Sequence, residues 1–232
     1  TWMLRLQRED WTITVSESTK QELIDVGFHE ERIHIVNNAA DKRVLGIEFP
    51  KYKDSDCFDF IFAGRYSKYK GIDAAVDALG RVKEKHRKVK LHIIGKKDDV
   101  FVKEVLSPIA DRYGLKCGGA TDSDVVLYGF VSEEDKYSIM RNSRALLFPS
   151  LREGWGIIVT EAAALGTPSI VYDSPGCRDA VDYGNAGYLC EEKTPEELAR
   201  LMVRCIENTD EYQEKRRTAY DFAQKFSWEK KL

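Results

Sequence analysis

The chain is poor in the residues that announce metal, redox or membrane chemistry. Its 232 residues hold five cysteines, Cys57, Cys117, Cys177, Cys190 and Cys205, and none stands at C-x-x-C spacing to another. That argues against a thiolate metal site, and the odd count predicts reduced thiols and a cytoplasmic setting. The four histidines, His29, His34, His86 and His92, are scattered without ligand spacing, so no metal is expected. No apolar run approaches the ~20 residues of a membrane span, and no signal-peptide pattern opens the chain. Charge of one sign is also missing. Thirty-six Lys and Arg against 39 Asp and Glu leave a net −3, which gives no basis for nucleic-acid binding. The basic run Lys83–Lys88 reads as a solvated helix end. Repeats and low-complexity tracts are absent.

What is present is an ordinary core-forming composition, 43% hydrophobic and 32% charged, and a regular alternation. Apolar runs recur at Phe60–Ala63, Leu91–Ile94, Val125–Tyr128, Ala145–Phe148, Ser169–Val171 and Tyr188–Cys190. Helix-like stretches lie between or after them at Gly71–His86, Asp99–Tyr113, Glu133–Asn142, Ile157–Leu165, Cys177–Val181, Pro195–Glu207 and Glu211–Phe226. Alternation of this kind predicts an α/β fold, a Rossmann-like parallel sheet flanked by helices. Gly118, Gly119 and the polar residues to Asp124 read as an exposed loop.

Two of the strand-to-helix turns carry chemistry. After Phe60–Ala63 comes Gly64-Arg65-Tyr66-Ser67-Lys68-Tyr69-Lys70-Gly71. Its guanidinium and ammonium suit an anion, Arg65 through paired N–H groups and Lys70 as a point charge. A plain basic surface loop is the alternative. After Ala145–Phe148 comes Pro149-Ser150-Leu151-Arg152-Glu153-Gly154-Trp155-Gly156, and a helix-like run from Ile157 follows. Glycines before a helix let backbone N–H groups approach a phosphate. Glu153 and Glu161 flank that anion site and suit hydroxyl groups, which predicts sugar on both sides of a phosphate. The alternative is a solvated charge at Glu153 and a dipole partner at Glu161. A dinucleotide-binding Rossmann domain would need G-x-G-x-x-G, and Gly154-Trp155-Gly156 lacks the third glycine.

Together these segments resemble the C-terminal, donor-binding half of retaining nucleotide-sugar glycosyltransferases with two Rossmann-like domains (the GT-B fold). That family includes sucrose and glycogen synthases and many lipid and polysaccharide mannosyl- and glucosyltransferases. The carrying motifs are Ala63-Gly64-Arg65 with Lys70-Gly71, Gly129-Phe130-Val131, Pro149-Ser150 with Glu153-Gly154-Trp155-Gly156, Glu161-Ala162 with Gly166-Thr167-Pro168, Gly187-Tyr188-Leu189, and Ser227-Trp228-Glu229. Glu153 and Glu161 bracket seven residues, as the family's paired glutamates do. The resemblance implies a donor site made of Gly64, Arg65, Lys70, Phe130, Val131, Glu153, Gly154, Trp155, Gly156, Ile157, Ile158 and Glu161. In it Arg65 and Lys70 hold the diphosphate, Glu161 binds the ribose, Phe130 and Val131 lie near the base, and Glu153 is the catalytic-site residue at the donor sugar. It implies a hexosyltransferase using a UDP- or GDP-sugar, with no metal or other cofactor, because two cations and a helix terminus can meet the charge on the leaving diphosphate.

The resemblance also implies that residues 1–42 are the tail of an acceptor domain with the interdomain linker, and residues 43–232 the donor domain. Ile13-Thr14-Val15 reads as a late strand of the first domain, with a helix capped by Ser16 and reaching Val26-Gly27. The chain is thus expected to be a fragment that transfers no sugar alone. Its acceptor, a glycan, a lipid or a small molecule, would be held by the other domain, with peripheral membrane association of the whole enzyme allowed. A non-catalytic sugar-nucleotide binding module is the second reading. The chain departs from the family at Asn37-Asn38-Ala39-Ala40-Asp41, at Lys96-Lys97-Asp98, and at Cys177-Arg178-Asp179 in place of a glycine-to-glutamate run.

Overall fold

The structure is a computed structural model that describes residues 8–51, 57–120 and 122–227. Trp228 and Glu229 of the last motif lie outside the described residues. Nine strands form two parallel sheets among the described residues. The first is small: β1 (Thr12–Thr14) pairs with β2 (Ile33–Ile35) across helix α1 (Glu17–Asp25).

The second sheet contains β3 (Phe58–Ala63), β4 (Val89–Ile94), β5 (Cys117–Gly118), β6 (Val125–Gly129), β7 (Ala145–Phe148), β8 (Ser169–Tyr172) and β9 (Tyr188–Cys190). Their order is β5-β6-β4-β3-β7-β8-β9, and every neighbouring pair is parallel. The chain builds outward from β3 to one edge, returns to the centre at β7, and builds outward to the other edge. β3 and β7 are therefore neighbours far apart in sequence, with Phe60 beside Ala145 and Ile61 beside Leu146. That is the topological switch point, where open α/β sheets take their ligands.

Helices cover both faces because strand side chains alternate. On one face Phe60, Phe62, Leu91, Ile93, Leu147 and Ile170 pack under α2 (Ile72–Lys85), α3 (residues 99–112) and α7 (Pro195–Glu207). On the other, Ile61, Leu146, Phe148 and Val171 pack under α5 (Ile157–Ala164) and α8 (Thr209–Ala223), together with Met140 of α4 (Glu133–Asn142). The short α6 (Cys177–Ala180) joins this second core through Cys177 and Ala180.

Three local readings need adjustment. Helix α3 is not uniform: Asp99–Phe101, Val102–Leu106 and Ser107–Arg112 follow one another, and the middle piece is π-wound. Pro108 has no amide to donate to the Glu104 carbonyl, so the ladder cannot continue unbroken. The stretch from Gly118 to Asp124 is exposed as expected at Gly119, Ala120 and Asp122, with Thr121 outside the described residues, but it is anchored at both ends. Gly118 lies in the edge strand β5, Ser123 is buried, and Asp124 accepts the Lys116 amide at 2.8 Å and pairs with Lys83. The last helix starts two residues earlier than periodicity implied, where the Asn208 side chain accepts the Glu211 amide.

Candidate functional site

The two loops singled out in sequence meet at the switch point. The loop after β3 runs from Gly64 to Gly71 and delivers the chain into α2; the loop after β7 runs from Pro149 to Gly156 and delivers it into α5. Gly71 joins them. It takes φ +71°, and a Cβ there would stand 2.3 Å from the Pro149 carbonyl oxygen, so only glycine lets the loops close on each other. The Leu151 amide also donates to the Tyr69 carbonyl at 2.9 Å.

Helix capping separates these two helices from the rest. Among helices of eight or more residues, α1, α4, α7 and α8 each begin at a side chain that accepts a first-turn amide: Ser16, Ser132, Thr194 and Asn208. Helices α2 and α5 begin at Gly71 and Gly156 with no side-chain cap. Orphan N–H groups and the positive end of the dipole are thus left available where the loops converge.

The charged residues divide into two groups. Lys70 and Glu153, from different loops, form an ion pair, with side chains 17% and 16% exposed. Lys70 Nζ also sits 5.7 Å from the Phe148 ring centre. Glu153 is fixed from behind: its amide donates to the Pro175 carbonyl at 3.3 Å, and its own carbonyl occupies space that a Cβ at Gly176 would claim at 2.3 Å. Arg65 is exposed and donates to the Tyr69 hydroxyl, its guanidinium 5.7 Å from that ring.

Glu161 shares no hydrogen bond with this pair. It is buried one turn inside α5, where Lys136 Nζ donates to Oε2 at 2.9 Å and the Tyr137 hydroxyl approaches Oε1 at 3.4 Å. Burial pushes the Glu161 carboxyl above its ordinary range, while Lys136 pulls it down. Lys136 and Tyr137 were not anticipated. Their only sequence signal is the Glu133-to-Lys136 spacing of a surface helix pair, here 2.7 Å.

Trp155 serves the fold through its side chain. It is 4% exposed, lies 4.8 Å from the Phe226 ring, and its indole N–H donates to Thr160 Oγ1 at 2.9 Å. What Trp155 and its neighbours Gly154 and Gly156 can offer a ligand is backbone. Ile157 is exposed in the first turn of α5, whereas Ile158 packs partly against the core. Phe130, just beyond β6, is 80% exposed, and Val131 leans on the α5-side core. Asp179, at one of the departures from the resemblance, accepts the Ser18 amide at 3.0 Å and the Gly176 amide at 3.1 Å. It thereby ties α1 to the loop behind Glu153.

Two features contribute no chemistry to the site. Cys177 lies close, but burial pushes its thiol up to about 12, so it stays protonated and non-nucleophilic. A cavity of about 1060 Å³ opens by the amino ends of β3 and β7, away from the convergent helix ends. Two guanidiniums of its lining are committed to backbone, Arg144 to the Cys205 carbonyl and Arg216 to those of Gly166 and Pro50.

Comparison with known proteins agrees with this layout. The sequence pattern of glycosyl transferases group 1 matches residues 47–225. An uncharacterised glycosyltransferase of Methanocaldococcus jannaschii is 28% identical over 222 residues, 95% of this chain and 56% of that protein. A D-inositol 3-phosphate glycosyltransferase of Nocardioides is 26% identical, over 85% of this chain and 46% of that protein. The chain thus spans about half the length of the curated relatives it matches. Anabaena HepE, solved in complex with UDP and glucose, superposes with a TM-score of 0.78 at 21% identity, covering 97% of this chain and 62% of that one. The shared architecture is the GT-B Rossmann-like fold. With the pattern matched over most of its length, the chain belongs to the glycosyl transferases group 1 family.

Proposed function

We propose that the convergent loops bind the diphosphate of a nucleotide sugar, and that the protein transfers the sugar to an acceptor with retention of anomeric configuration. The observation that carries this reading is the meeting of two glycine-capped, otherwise uncapped helix ends beside Arg65 and Lys70, with Glu153 and Glu161 flanking them. Amides and cations suit the diphosphate, and carboxylates suit hydroxyls. Glu161 takes the ribose, Glu153 faces the donor sugar, and the exposed Phe130 offers a ring to the base. UDP in the Anabaena structure makes a uridine diphosphate sugar the first donor to try, with a guanosine diphosphate sugar next.

No metal is required in this scheme. The charge that grows on the leaving diphosphate is met by Arg65, Lys70 and the α5 amides. Breaking the Lys70–Glu153 pair on donor entry would free the ammonium for phosphate and the carboxylate for sugar hydroxyls. Residues 1–42 belong to an acceptor domain and its linker in this reading. The acceptor is a glycan, a lipid or a small molecule, and the enzyme works in the cytoplasm, at a membrane surface when the acceptor is a lipid.

Calorimetric titration with UDP, GDP and their sugars, repeated in a chelator, tests the proposal. Micromolar-to-millimolar binding of at least one nucleoside diphosphate, unchanged by chelation, is expected. No binding of any, or binding abolished by the chelator, would contradict it.

A further inference from the structure

Ribose hydroxyls would give Glu161 a partner in the ligand, but they do not explain how a carboxylate survives in its position. Glu161 is 8% exposed, and its own helix supplies no charge, since α5 reads IIVTEAAA. Burying an ionised carboxylate without a counter-charge is costly. The counter-charge comes from α4. Lys136 bridges Glu161 Oε2 at 2.9 Å and Glu133 Oε2 at 2.7 Å, its side chain 14% exposed and its Nζ 4.5 Å from the Tyr137 ring centre. The chain of alternating charge continues outward: Arg43 Nη2 lies 3.6 Å from Glu133 Oε2 and also pairs with Asp41, to which Arg43 Nε donates at 3.0 Å.

We propose that Lys136 is the positioning residue for Glu161: it binds one carboxylate oxygen, offsets part of the cost of ionising the group there, and leaves the other oxygen turned toward the ribose hydroxyls. This rests on the ribose reading of Glu161. The geometry favours it over a plain surface ion pair on two counts. An exposed pair holds two long side chains in water for little gain, but here both partners are largely buried. And Lys136 approaches only Oε2, so Oε1 meets nothing stronger than the 3.4 Å contact with the Tyr137 hydroxyl.

The charges that weigh most on Glu161 are Lys136 and Glu133 of α4 and Asp41 from the segment before β3, with the neutral Tyr137 hydroxyl at Oε1. Helix α8, packed across α5, presents Ala219 and Ala223 to this core and turns Arg216 to backbone carbonyls. On α6, Asp179 is occupied by the Ser18 and Gly176 amides. Lys136 is thus the cation that sets the balance.

The experiment compares UDP and GDP with inorganic pyrophosphate across pH 5–9, in the wild type, Lys136→Met, Lys136→Arg and Glu161→Gln. The readout is the ratio of nucleoside diphosphate to pyrophosphate affinity, compared at each pH with the same ratio in Glu161→Gln, which carries the ligands' own ionisation. In the wild type the ratio falls on the acid side as Glu161 takes up a proton. Lys136→Met should move that fall up by about one pH unit, about tenfold in the ratio at a fixed pH on that limb. Lys136→Arg should restore it, and Glu161→Gln should leave a low ratio that follows only the ionisation of the ligands. If Glu161→Gln lowers the ratio while Lys136→Met follows the wild type, or weakens both ligands equally at every pH, the positioning role is overturned and the ribose reading stands. If Glu161→Gln keeps the wild-type ratio, the ribose reading falls and this proposal with it.

Discussion

The loop after β3 and the loop after β7 reach the same cleft by opposite constructions. The first is basic and more open at its tip: Arg65, Lys68 and Tyr69 are exposed, while Tyr66 is buried, the Gly64 carbonyl seats against Gly95 and Gly71 seats against Pro149. The second is built into the core. Ser150 is fully buried, its carbonyl accepts from Ser174 Oγ at 2.7 Å, and Trp155 is locked between Thr160 and Phe226. Contacts from the amino-terminal unit add to it, with Val15 against Gly154, Arg152 paired to Glu22 at 3.0 Å, and Thr19 Oγ1 3.4 Å from the Gly154 carbonyl. Ligand chemistry is therefore separable from folding in the first loop and entangled with it in the second. Substitutions can make that contrast visible.

Trp155→Ala should give the largest effect. Emptying a buried tryptophan site costs about 3–5 kcal/mol of stability, and chemical denaturation should report it directly. Arg65→Ala, in the open loop, should shift the same transition by less than about 0.5 kcal/mol. An Arg65 variant as unstable as the Trp155 variant would erase the contrast.

Gly71→Ala comes next and tests the seat between the loops. A left-handed conformation costs a residue with a Cβ about 1–2 kcal/mol, and the Pro149 carbonyl adds a clash. Stability should fall by more than about 2 kcal/mol, with nucleoside diphosphate binding lost in parallel. Full stability in this variant would mean that the loops do not need to touch.

Binding should separate from stability at the cations. Arg65→Ala and Lys70→Ala should each weaken nucleoside diphosphate binding by about 1–3 kcal/mol, the value of a hydrogen bond to a charged group. Calorimetry on both variants checks this, and unchanged affinity in both would remove the phosphate role.

The smallest expected effect concerns pH. Burial holds the Glu161 carboxyl above its ordinary range, so the folded state favours the protonated form. Its contribution to stability is complete below the ordinary carboxylate range and is lost as pH rises through the raised value. Measured against Glu161→Gln, the wild type should therefore lose relative stability as pH rises from about 4 to about 7. Urea titrations at both ends of that range decide, and a difference that stays constant or reverses would contradict the assignment.

Legibility in the sequence follows the same division. Strands, most helices and the two loops were readable because each is a local signal: an apolar run, a glycine, then a helical repeat. The charges of the open loop were readable by type alone. In the buried loop, membership of a motif did not tell side chain from backbone, so Trp155 entered the site although its indole belongs to the core. Lys136 escaped notice because its partner stands 25 residues away, and their contact exists only once α4 and α5 pack on one face of the sheet. Asp179 escaped for the same reason, its partner Ser18 lying in a separate unit. Pairings of this kind are made by topology, not by spacing.

Hydrogen exchange with and without UDP or GDP tests the central claim most directly, because it reads both loops in one experiment. Binding across the switch point predicts slowed exchange at Arg65–Gly71 and at Glu153–Glu161 together, with Ile157 and Ile158 among the most protected new amides. Protection confined to the cavity by Arg141 and Arg216, or absent from both loops under saturating nucleotide, would contradict it.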